Sequence, residues 1–200
     1  MTFEKLLIFV NSLIPLAMLG FDAWRGRLGA NPVEFFLRTT GVLALIFLVL
    51  TLSVTPLRKL TGNNSIVKLR RMIGLFAFFY ATVHLITYSI FDKSLDIATI
   101  VDDVRQRPFI AVGSAALLLL VPLAVTSTNG MIKRLGGRRW AKLHKLTYVA
   151  AILGVVHFVL IVKSDYFYPG IFGIAVGGLL VYRFYAWATQ PRAGKARVEV

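Results

Sequence analysis

Two histidines, His84 and His157, each stand deep in a long apolar stretch. Each follows the same spacing of small residues, Ala77-x-x-x-Ala81-x-x-His84 and Ala150-x-x-x-Gly154-x-x-His157. An ionisable side chain inside a membrane span is costly and is therefore a functional candidate by default. Neutral imidazole is a good iron ligand. On a helix, the residues three and seven positions earlier share its face. Ala77, Ala81, Ala150 and Gly154 are thus expected to clear room beside the two rings for a flat apolar plate. The chemistry implied is a haem clamped between two axial histidines. Taken singly, each motif also reads as ordinary small-residue packing with a histidine hydrogen-bonded across helices. The matched pair is what favours haem.

The elements that must position these rings are membrane helices. The chain is 57% hydrophobic over 200 residues, with a mean hydropathy of +0.72, which a soluble domain of this size would not show. Six apolar runs, near 6–21, 41–56, 72–91, 109–125, 146–162 and 169–188, approach the length needed to cross a bilayer. Lipid offers no partner to unpaired backbone groups, and the runs are too long and continuous for barrel strands. The expectation is an all-α integral membrane protein, a six-helix bundle forming one domain over 1–200. The first run reads as an uncleaved helix rather than a signal peptide, because Phe21, Asp22 and Trp24 occupy the place of a small-residue cleavage site.

Charge sorts by side. The N-terminus, the loops 57–71 and 126–145, and the C-terminal region from Arg183 through Arg192, Lys195 and Arg197 carry sixteen Lys and Arg against Glu4 and Glu199. The opposite loops balance seven against seven, so the whole net charge of +14 falls on one face. Lys/Arg bias marks the cytoplasmic side, which predicts both termini inside. The basic balance is a topology signal with anionic lipid as a secondary contact, and it does not point to nucleic acid. On this topology His84 lies eight residues before Asp92, and His157 lies six before Lys163. Both rings then sit roughly 10 Å below the outer boundary at 1.5 Å per residue. Matching depth on different helices is what one shared iron requires. Arg38 and Lys163 are candidates to reach haem propionates from that side.

His144 differs. It stands at the inner end of the fifth run between Lys142 and Lys145, thirteen residues before His157. On a regular helix that is roughly 140° away around the axis, so the two share no face unless the helix is bulged or begins after His144. The third run offers Arg70 and Arg71 at that depth instead of a histidine. His144, with Arg71, is therefore a candidate for a second haem with an unusual partner or for a flavin or quinone site. An interfacial polar residue is the alternative. The glycines, hydroxyls and cations of 126–139 suit a phosphate but match no specific phosphate loop, and a lipid-facing basic loop explains them equally. Trp140, Tyr148, Tyr166 and Tyr168 read as interfacial belt residues. Cysteine is absent, which excludes disulfides and thiolate-held clusters. No nucleophile elbow, HExxH or dinucleotide fingerprint is present.

Several stretches resemble the MsrQ family, also called YedZ. They are Leu28-Gly-Ala-Asn-Pro-Val33, Thr55-Pro-Leu-Arg58, Arg70-Arg-Met-Ile-Gly-Leu75 and Ala81-Thr-Val-His-Leu-Ile-Thr-Tyr88. The likeness continues through Thr126-Ser-Thr, Lys133-Arg-Leu-Gly136, Trp140-x-x-Leu-His144, Tyr148 and His157. The resemblance implies a ferric-reductase-like transmembrane domain in the bacterial inner membrane that binds haem b, with FMN as a further family cofactor. It implies electron transfer from the quinone pool or a cytoplasmic flavin reductase to MsrP. That partner is a periplasmic molybdenum-containing methionine sulfoxide reductase that repairs oxidised envelope proteins. Sulfoxide reduction would then occur on the partner. Relatives in the wider superfamily carry two histidines on each of two helices. This chain keeps only His84 on its third span, which departs from a two-haem wire. A stand-alone ferric or quinone reductase, and a haem-free transporter or scaffold, remain the competing classes.

Overall fold

In the computed structural model, which describes residues 3–189, the chain is entirely helical apart from its connections. Helices α1 (Phe3–Trp24), α2 (Pro32–Thr61) and α3 (Arg70–Thr87) are followed by a π-helical turn, Tyr88–Asp92. Then come α4 (Ile97–Gln106), α5 (Pro108–Val125), α6 (Asn129–Leu135), α7 (Gly137–Leu143), α8 (Leu146–Ile161) and α9 (Phe167–Ala188). Among the described residues, six helical stretches are long and apolar enough to cross a membrane. They coincide with the six expected runs, but α2 is far longer than 41–56. Asn31 explains its early start: the side chain caps the Glu34 amide, and Pro32 supplies the first helical residue, where no amide partner is needed. Arg192, Lys195, Arg197 and Glu199, counted above to the basic face, lie outside the described residues.

Two antiparallel pairs make the bundle: α2 packs most extensively on α3, and α5 on α8. The α2/α3 seam is aromatic. Phe47 stacks on Tyr80, ring centres 5.4 Å apart, and on Phe76. Tyr80 is wholly buried and donates its hydroxyl to the Ser12 carbonyl of α1 at 2.6 Å, in the turn that Pro15 disturbs. Outward-facing apolar residues such as Ile174, Leu118 and Val181 are exposed, as lipid-facing positions should be.

Arg183 was expected as a charge of the basic face. It instead points inward from α9, donating to the Tyr148 hydroxyl at 2.8 Å and to the Leu52 carbonyl. The reason lies in α2. Leu52 would normally accept from the amide four residues on, but that residue is Pro56, which has no N–H. Arg183 supplies the missing donor. Tyr148 is correspondingly half-buried beneath the guanidinium, 5.0 Å from ring centre to charge. It is not a free interfacial residue, whereas Tyr166 and Tyr168 are exposed as expected.

Two features near the less basic end were not anticipated. The π turn re-aims Tyr88 and Asp92. After it, α4 lies between spans rather than crossing, with Asp96 capping its first amides. Asp103 ties α4 down, accepting from Tyr88 Oη at 2.6 Å and pairing with Lys93 Nζ at 2.7 Å and Arg107 Nε at 3.3 Å. The connecting turn holds Ser94 and Leu95 at φ of 50° and 61°, a conformation that costs residues with a Cβ roughly 1–2 kcal/mol each.

Candidate metal centre

His84 on α3 and His157 on α8 face each other between the two helix pairs. Their ring centres are 6.2 Å apart and their planes nearly perpendicular, at 88°. Two imidazole nitrogens each about 2 Å from a metal, with ring centres about 1 Å further out, place those centres about 6 Å apart. The spacing therefore suits one metal ion between the rings.

The ring tautomers follow from the partners. His84 Nδ1 lies 2.9 Å from the Leu37 carbonyl of α2, and His157 Nδ1 lies 2.6 Å from the Phe109 carbonyl of α5. A carbonyl only accepts, so each Nδ1 carries the proton and donates. Each Nε2 is left with its lone pair, the form in which histidine ligates. These backbone carbonyls are the acceptor partners that sequence alone leaves unidentified.

The rings line a cavity of about 380 Å³, within the size range of small-molecule and cofactor sites. Ala81, Ala150 and Gly154 line it with Leu45, Leu48, Leu117 and Leu120. Its rim is polar: Glu34, Arg38, Tyr88, Asp92 and Arg107. An apolar slot whose rim includes Arg38 and Arg107, alongside Glu34 and Asp92, fits haem, an apolar plate with two carboxylates. Ala77 corrects the expectation. It is fully buried in the α2/α3 core and does not line the cavity, because α3 has closed on α2 at that height, whereas Ala150, equally far before His157, still lines the slot. Lys163 is exposed and also absent from the lining, whereas Arg38 is present, joined by Arg107. Ile100 and Val104 of α4 cover part of the slot.

At the basic end, a separate small pocket of about 50 Å³ collects Arg70, Arg71, Gly74, Ser127, Trp140, His144 and Thr147. Leu48 and Leu120 line both cavities and so lie between them. The helix does break at His144: it caps α7, and α8 begins at Leu146. Trp140 stacks on the His144 ring with centres 3.9 Å apart and donates its indole N–H to the Thr126 carbonyl. It belongs to this pocket rather than to a belt at the lipid boundary. Thr126 spends its single hydroxyl proton on the Pro122 carbonyl at 2.6 Å, so it accepts from His144 Nε2–H at 3.1 Å. His144 thus has the opposite tautomer from the other two histidines. Arg71 is turned to Asn129, donating to its Oδ1 at 2.6 Å.

A family model described as "Ferric reductase like transmembrane component" matches residues 40–155, which take in α3 and α5 whole and most of α2 and α8, and which end two residues before His157. The chain is 48% identical over 195 residues to the protein-methionine-sulfoxide reductase heme-binding subunit MsrQ of Herminiimonas arsenicoxydans. That alignment takes in 96% of this chain and 89% of that protein. It is 48% identical over 192 residues to the MsrQ of Rhodospirillum rubrum, covering 96% and 92% respectively. It is also 43% identical over 190 residues to the magnetosome protein MamZ of Magnetospirillum gryphiswaldense, covering 92% of this chain and 29% of that longer one.

Proposed function

This chain belongs to the MsrQ family within the ferric-reductase-like transmembrane proteins, and on that premise we propose that it is a haem b electron-transfer subunit. In this reading its 200 residues act as one multi-pass domain of a bacterial inner membrane, with both termini cytoplasmic. It delivers electrons outward to an MsrP-like periplasmic reductase, where methionine sulfoxide is reduced. The observation that carries the reading is the facing pair His84 and His157, 6.2 Å apart with both Nδ1 atoms tethered to carbonyls.

A bound haem supplies a one-electron iron couple. The chain's own contribution is positional. His84 and His157 present Nε2 lone pairs, and the leucines and small residues of the slot exclude water. Arg38 and Arg107 at the rim are placed to meet the two carboxylates. The rim lies toward the less basic end, the periplasmic side in this reading, where Arg38 and Arg107 would hold the carboxylates of a bound haem.

The basic-end pocket marks the side from which a cytoplasmic donor, a quinone or a flavin reductase, would approach. Arg70, Arg71 and the Trp140–His144 stack give the pocket cations and an aromatic face, while the Trp140 N–H and the Ser127 and Thr147 hydroxyls are already donated to backbone carbonyls. At about 50 Å³ it does not accommodate FMN in this conformation. A second haem fits less well still, since His144 Nε2 is committed to Thr126 and the chain's other two histidines are used elsewhere.

The test is the full chain purified in detergent from haem-supplemented cells. Wild type is expected to show a low-spin Soret spectrum, with His84→Ala and His157→Ala each losing most of it and His144→Ala retaining it. A full, unchanged haem content in both outer variants would refute the ligand assignment. Faster electron transfer to purified MsrP than to ferric chelates supports the partner. The reverse preference favours a stand-alone ferric reductase.

A further inference from the structure

The two histidine tethers share one construction. Leu37 and Gly41 are four residues apart on α2, and Phe109 and Gly113 are four apart on α5. In each case the first residue's carbonyl takes the histidine's Nδ1–H, and the glycine lies one turn on. A helical side chain leans toward the N-terminus and covers the turn before its own Cα. A Cβ at the glycine would therefore stand over the very carbonyl the histidine must reach. Built on the backbone, a Cβ at Gly113 would lie 2.7 Å from His157 Nδ1 and 2.8 Å from its Cε1. At Gly41 it would lie 3.2 Å from His84 Nδ1 and 3.3 Å from Cε1. The first distance is a clash that moves the ring. The second is a tight contact that a small rotation relieves.

We propose that Gly41 and Gly113 are positioning residues. Each bares a helix carbonyl that fixes the tautomer and rotation of the histidine on the neighbouring helix, and together they set the perpendicular arrangement of the two ligand planes. This rests on the haem-ligand reading above. It assigns the residues that orient the ligands, a role distinct from supplying space for the porphyrin. The hydrogen bond also has an electronic consequence. Donation from Nδ1–H makes the imidazole a more basic ligand, which favours the oxidised metal, so losing either tether raises the midpoint potential.

The experiment uses the full chain, haem-loaded in detergent, with Gly41→Ala, Gly113→Ala and the control Gly173→Ala. A Cβ at Gly173 meets only Val155 Cγ1, at an ordinary 3.7 Å. Three properties are read: haem per protein, the low-temperature EPR spectrum of the oxidised form, and the midpoint potential. Wild type and Gly173→Ala are expected to give the strongly anisotropic low-spin signal of perpendicular axial ligands. Gly41→Ala should keep its haem but show reduced anisotropy and a higher potential. Gly113→Ala should go further, losing haem several-fold and changing the signal of whatever remains.

If both variants keep the wild-type signal and potential, the proposal is overturned. It is equally overturned if Gly41→Ala proves the more damaging of the two. Should Gly113→Ala fail to accumulate, the milder Gly41→Ala still decides the matter through signal and potential. The His84→Ala and His157→Ala proteins separate the two levels. If they lose haem while the glycine variants behave as wild type, the ligands stand and the positioning role falls. If they retain haem, the ligand reading itself has failed.

Discussion

Replacing Arg183 by Leu tests whether a membrane arginine can serve as the hydrogen-bond donor that a proline removed. In the native fold Arg183 donates to the Leu52 carbonyl and the Tyr148 hydroxyl, and Pro56 is the residue whose absent amide leaves Leu52 unpaired. Leu52 is fully buried, so water cannot substitute there. Arg183→Leu orphans the carbonyl, at about 1–3 kcal/mol for a buried unsatisfied group, and loses the tyrosine contact, worth about 1 kcal/mol more. The expected destabilisation is about 2–4 kcal/mol. Pro56→Ala restores an amide four residues beyond Leu52, and in that background the carbonyl part of the loss should vanish. The double-mutant cycle should therefore show a coupling of about 1–3 kcal/mol, well above the roughly 0.3–0.5 kcal/mol scatter of independent sites. Reversible unfolding in mixed micelles, followed by helical circular dichroism, measures all four corners. An additive cycle would sink the argument, because it would mean that Arg183 is held for its charge or its tyrosine and not for the orphaned carbonyl.

Two further outcomes follow from the site. Ala77→Leu and Ala81→Leu, four residues apart on one helix face, should part company. The first overpacks a closed core and lowers stability by about 1–3 kcal/mol; the second enters the slot proposed for haem and is expected to lower haem content. Equal effects on haem retention would contradict the placement of Ala77. On α4, the Asp103 carboxyl is held below the ordinary carboxylate range, first by the Lys93 hydrogen bond and then by that from Tyr88. A depressed carboxyl contributes stability above its unfolded pKa of about 4 and loses it only as pH falls through the lower folded value. Protease cleavage within 93–107 should thus stay slow at neutral pH and rise only below about pH 4, while Asp103→Asn should be cleaved readily at pH 7. Slow cleavage of that variant at pH 7 would show that α4 is held by other contacts.

The six membrane helices were legible because lipid imposes one rule on every residue: a long run must be apolar, and charge must leave it. That rule acts locally, so composition and period report it directly. The meeting of His84 and His157 in one cavity was legible for the same reason, since both are ionisable exceptions at matching depth. The small residues before them were legible only in part. Ala81, Ala150 and Gly154 line the cavity, but Ala77 sits in the core, since helix-face spacing gives direction and not the height at which two helices diverge. Arg183, Tyr148 and Trp140 misled because a residue near a helix end reads as interfacial whichever way it points. The partner that turns Arg183 inward is a carbonyl 131 residues away, left bare by Pro56. The acceptors for the histidine rings are likewise backbone atoms, 47 and 48 residues distant. A backbone carbonyl has no letter in the sequence, and glycine records only that a side chain is missing. Which histidine comes to fill that space was decided by the packing of α3 on α2 and α8 on α5.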